Sequence, residues 1–95
     1  MGFGSKDKDI NSEKHTDDAT IKEALDLASE TLRMIEEDIP ERVKTNRANF
    51  YESVIEGVTG VRETIEANRW VSDKQLKALN SWHGTIEDIV TRYCN

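Results

Sequence analysis

The sequence predicts an all-α protein: a hairpin or bundle of three helices behind a disordered tail, with a homodimer favoured over a lone chain. Three observations carry this. Apolar residues recur at helical spacing in three separate runs, no stretch alternates apolar and polar residues as a half-buried strand would, and the single proline falls between the first two runs. Ninety-five residues make one domain, and a chain of this size buries roughly 65% of its unfolded surface. The division expected is a disordered tail over 1–16 and a single helical domain over 17–95.

Residues 1–16 are rich in Gly, Lys, Asp, Ser and Asn, with only Phe3 and Ile10 to bury. The first helix should start between Thr16 and Thr20, where Asp17 and Asp18 suit its positive end and Thr20-Ile-Lys-Glu23 matches a capping box. Ile21, Leu25, Ala28, Leu32, Ile35 and Ile39 then follow at spacings of 4, 3, 4, 3 and 4. So regular a seam is expected to lie along another long helix, within the chain or across a dimer. Pro40 ends or kinks this helix, because it brings no amide and crowds the preceding turn.

A second helix is predicted from about Glu41 to Ala67, with Val43, Phe50, Val54, Val58, Val61 and Ile65 on one side and Tyr51 at the edge. Gly57 and Gly60 each cost that helix about 1 kcal/mol relative to Ala, so they mark either a close approach of another helix or a bend. The third helix has the clearest start. In "RWVSDKQLKAL", Ser72-Asp-Lys-Gln75 fits the S/T-x-x-E/Q box, and Val71 and Leu76 occupy the two positions of a hydrophobic staple. Leu79, Trp82, Ile86, Ile89, Val90 and Tyr93 continue its apolar face.

The chain carries a net charge of −6, and the excess is local. Residues 17–39 hold Asp17, Asp18, Glu23, Asp26, Glu30, Glu36, Glu37 and Asp38 against Lys22 and Arg33. Such a field repels nucleic acid and favours basic partners. No apolar run is long enough to span a bilayer, no secretory or myristoylation pattern stands at the start, and the single cysteine, Cys94, has no partner within the chain. A reducing cytoplasm is the expected home.

Catalytic chemistry finds little to work with. His15 falls in the tail, His83 lies at the edge of the third helix's apolar face with Glu87 one turn on, and neither faces a nucleophile in sequence. There is no Gly-rich phosphate loop, and neither histidine follows a Glu at the three-residue spacing of carboxylate-bridged metal sites. No enzyme activity, cofactor or metal is expected. The leading candidate is a protein-binding face on the first helix, where Leu27 and Met34 form a second apolar strip among Glu30, Glu37 and Asp38. A partner with a basic surface would meet it. The alternative is a small DNA- or RNA-associated module using Arg42, Lys44, Arg47 and Trp70. Arg47 would point along the apolar stripe of a continuous second helix, so it must pair with an acid of the first helix or the helix must start later. A third possibility is a nucleotide-sequestering oligomer built on Arg47, His83 and the aromatic residues.

The run "FYESVI…RWVSDKQLKALNSW", Phe50 to Trp82, resembles a small helical module of phage and prophage proteins, some of them associated with DNA transactions. "NRANF" at Asn46–Phe50, with "EDI" at Glu37–Ile39, is also similar to the small helical anti-sigma factor of T-even phages. The first resemblance implies a phage-type accessory protein acting in the host cytoplasm. The second implies binding and inhibition of a host polymerase subunit.

Overall fold

The computed structural model describes residues 14–94; residues 1–13 of the tail expected over 1–16 lie outside them. In chain order the elements are β1 (Lys14–His15), α1 (Asp18–Arg33), a π-helical turn (Met34–Asp38), α2 (Glu41–Asn46), α3 (Ala48–Asn68), β2 (Val71–Ser72) and α4 (Asp73–Cys94). The predicted bundle of three main helices is what forms. β1 pairs antiparallel with β2, Lys14 opposite Ser72 and His15 opposite Val71. Residues 14 and 15 therefore belong to the fold rather than to a tail ending at Thr16.

This pairing sets the topology. Because β1 leads into α1 and β2 into α4, the two helices start at one corner and run parallel, with α3 antiparallel to both. His15 Nε2 lies 2.6 Å from Asp73 Oδ1 and adds a side-chain tie at that corner.

Asp17, not Thr20, caps α1: its carboxylate accepts from the Thr20 amide at 2.9 Å and from the Thr20 hydroxyl. The same two residues can be read in either role, and Asp is at least as good an N-cap as Thr. The seam of α1 is buried within one chain: Ile21, Ala28, Ile35 and Ile39 are in the core, with Leu25 and Leu32 packed against it. The second strip is divided between core and groove. Met34 is 4% exposed, Thr31 is fully buried and Leu27 packs against the core. At about 100° per residue, the apolar arc from Met34 round to Leu25 covers roughly half the helix circumference. Its breadth follows from α1 lying between two partners, with Leu32 on the α3 side and Leu27 on the α4 side. Small residues at the arc's centre, Ala24 and Ala28, let both neighbours approach, and Thr31 satisfies its buried hydroxyl on the Leu27 carbonyl at 2.7 Å.

Pro40 ends the first run as expected. Ile39 is extended at φ −98°, ψ 125°, the conformation favoured before proline, and its amide reaches back to the Met34 carbonyl at 3.2 Å. The predicted second helix is divided at Arg47 (φ −132°, ψ 47°). That break lifts the guanidinium off the apolar stripe; it lies exposed, 4.7 Å from the centroid of the Phe50 ring. Tyr51, expected at the edge, is buried instead. Helix α3 runs unbroken through its glycines. Gly57 serves close approach, because a β-carbon there would stand 2.7 Å from Trp82 Cζ2, whereas Gly60 faces open space. The box at the start of α4 forms in full: the Gln75 amide donates to Ser72 Oγ at 3.1 Å and the Ser72 amide to Gln75 Oε1 at 2.9 Å. Val71 is fully buried beside it. Among the described residues, no helix is long and apolar enough to cross a membrane.

Candidate functional site

Parallel packing of α1 and α4 leaves an open groove of about 540 Å³ between them. Leu27 gives it an apolar floor; Ala19, Lys22, Glu23, Asp26 and Glu30 come from α1, and Asn80 and His83 from α4. Three carboxylates against one ammonium make the walls acidic. Lys22 is paired with Asp26 at 3.1 Å and Glu30 with Arg33 at 2.7 Å, so the groove's lining keeps its negative excess through Glu23 and through Glu30, whose partner Arg33 stands outside the lining. Sequence reasoning singled out Leu27 and Glu30 but missed Asn80, which is on another helix and reaches the groove only through the tertiary fold.

The acidic residues grouped with Leu27 divide in two. Glu30 belongs to the groove, while Glu37 and Asp38 lie beyond the last turn of α1, where Arg33 gathers all three. Its Nη2 is 2.7 Å from Glu30 Oε2, and its Nη1 is 3.4 Å from Asp38 Oδ2 and 3.8 Å from Glu37 Oε1. The hydrogen bond from Arg33 holds the Glu30 carboxyl below the usual range and raises the guanidinium correspondingly. These groups are solvent-exposed, so the cluster organises charge more than it adds stability. Met34 contributes to the core, not to the groove.

The residues of the nucleic-acid alternative do not converge. Arg42, in α2, and Arg47, just before α3, are exposed, whereas Trp70 follows the far end of α3, whose 21 residues separate Arg47 from Trp70 by roughly 30 Å. Lys44 is engaged locally, donating to the Glu36 carbonyl at 3.2 Å and lying 3.5 Å from Glu41 Oε1. Trp70 is half-buried under the Lys14 ammonium, 4.7 Å from the ring centroid. The groove that His83 lines does not include Arg47. Among the described residues, no three His, Cys, Asp or Glu side chains cluster as metal ligands. Comparison with protein-family models, curated proteins and solved structures finds no match to this chain.

Proposed function

We propose that this chain is a non-catalytic accessory protein whose α1–α4 groove receives a basic segment of a protein partner. The observation that carries the reading is the pairing of an apolar floor, Leu27, with the carboxylates of Glu23, Asp26 and Glu30 on one wall. An aliphatic side chain of the partner would seat on Leu27 while Lys or Arg beside it meets the carboxylates, giving apolar contact for affinity and charge for orientation. The resemblance of residues 50–82 to a phage helical module is the reason for placing the partner among host factors or nucleoprotein enzymes. Covering a basic surface of such a partner would inhibit it.

The test is charge reversal at exposed positions. Glu23→Lys with Asp26→Lys keeps the helical circular dichroism and abolishes capture of the partner from the native host. Capture that survives the double change removes the groove from consideration. A gel shift with duplex DNA that weakens steeply with salt would favour the nucleic-acid reading instead. Self-association is no longer needed to bury the seam of α1, so sedimentation of the full chain is a separate question from partner capture.

A further inference from the structure

On the opposite flank of α1 a second depression runs between the π-turn, α2 and α3. Its two ends, of about 320 Å³ and 210 Å³, share Lys44 and Ile55. Leu32 and Ile35 line one end, Ala48 and Tyr51 the other. Ile55 stands between them 38% exposed, a large aliphatic residue with no covering neighbour on its outer side. The depression exists because Pro40 and the break at Arg47 make α2 a separate short helix, so α1 and α3 are not zipped together at this end.

We propose that this trough is a second docking surface, and that its occupant is an amphipathic helix carrying Lys or Arg beside its apolar residues. Charge selects this occupant. Glu36, Glu41 and Glu52 stand exposed around the trough, and its one cation, Lys44, is already taken up by the Glu36 carbonyl and the Glu41 carboxylate. A second copy of this chain would bring a net charge of −6 against that rim. A basic helix instead lays one apolar face over Ile55 and fills the wells on either side, the helix-in-groove mode. A trough of this size admits only a few side chains, so binding is weak and transient.

The experiment uses the full chain and a defined probe: a 14-residue amidated peptide with Leu at i, i+3, i+4 and i+7 spacing and Lys elsewhere, titrated by amide chemical-shift mapping. Shifts are expected at Lys44, Tyr51, Ile55 and Thr59, with affinity falling about ten-fold in Ile55→Glu and less in Glu41→Gln with Glu52→Gln. Peptides with Glu in place of Lys, or Ser in place of Leu, should not bind. Four results would overturn the proposal. These are no shifts up to about 1 mM peptide, equal binding by the Glu peptide, shifts confined to Leu27, Asn80 and His83, or a sedimenting dimer that Ile55→Glu dissociates. The third result would support the α1–α4 groove while sinking this surface, so the two readings fail separately. Should Ile55→Glu not fold, the wild-type shift map and the glutamine variants decide.

Discussion

At the corner where α3 gives way to α4, side chains cap the helix starts; at the opposite end of the bundle the helices start without such caps. The corner has Asp17 on α1, the reciprocal Ser72 and Gln75 bonds on α4, His15 against Asp73 and the β1–β2 pair. At the far end, α2 and α3 both begin without a side-chain cap, and the chain crosses between α1 and α3 by way of the π-turn, Pro40 and Arg47. What holds that end is burial: Met34, Ile35, Ile39, Val43 and Tyr51. Capping fixes a terminus by local hydrogen bonds, whereas burial fixes it only through neighbours distant in sequence. The far end accordingly has room for a trough, and the corner does not need one.

The largest effect should come from attacking burial at the end that lacks N-caps. Met34→Glu places a carboxylate at a position 4% exposed, and unfolding in urea should show a loss of at least about 4 kcal/mol. The change also separates core from surface on α1, because Glu23→Lys, on the exposed wall of the groove, should alter stability by less than about 0.5 kcal/mol. A near-native Met34→Glu protein would mean that the far end is not held by its core.

Caps give a smaller and more local response. Ser72→Ala removes the acceptor for the Gln75 amide and should cost about 1 kcal/mol. The matching change at the start of α2, Glu41→Ala, removes no cap and should stay within about 0.5 kcal/mol. Equal losses at the two sites would erase the distinction between the ends. Arg69 offers the opposite sign. It closes α3 in the left-handed region at φ 62°, its amide bonded to the Ile65 carbonyl at 2.8 Å. Glycine adopts that conformation without a β-carbon clash, so Arg69→Gly should stabilise the chain by about 0.5 kcal/mol, net of the entropy that glycine adds to the unfolded state. Thermal melts would show the midpoint rising.

The same contrast explains what could be read from the residues alone. Ser72, Gln75, Val71 and Leu76 lie within a few positions of one another, so their box and staple are legible before any tertiary contact is known. Met34 is in the core while Leu27 lines the open groove, a division a helical wheel does not show, because it gives the width of an apolar arc and not the number of helices that cover it. The β1–β2 pair is two residues long and carries no alternation to detect. The π-turn at Met34–Asp38 continues the apolar rhythm of α1, so nothing marks it. Arg47 was legible as a conflict between a charge and an apolar stripe, and the backbone resolves it by breaking. The candidate groove was half visible: Leu27 and Glu30 share a helix, while Asn80 and His83 join them only through the parallel packing that β1 and β2 impose.

Acid provides the finest probe of the capped end. Hydrogen bonds from the Thr20 hydroxyl and then the Thr20 amide hold the Asp17 carboxyl below its ordinary value of 3.8. A carboxyl whose value is lowered by folding stabilises the native state above its unfolded value, and the contribution disappears as pH falls through the lowered one. The melting points of the wild type and Asp17→Ala should therefore differ fully at pH 6 and draw together below about pH 3.8. Glu30 also titrates low, but through Arg33 at the surface. Its difference from Glu30→Gln should shrink in about 0.5 M salt, because exposed charges are screened at that ionic strength. The Asp17 difference should persist there, since a short hydrogen bond to an amide depends little on screening. If salt removed both differences alike, the Asp17 contact would be an ion-type interaction with the helix end rather than a cap.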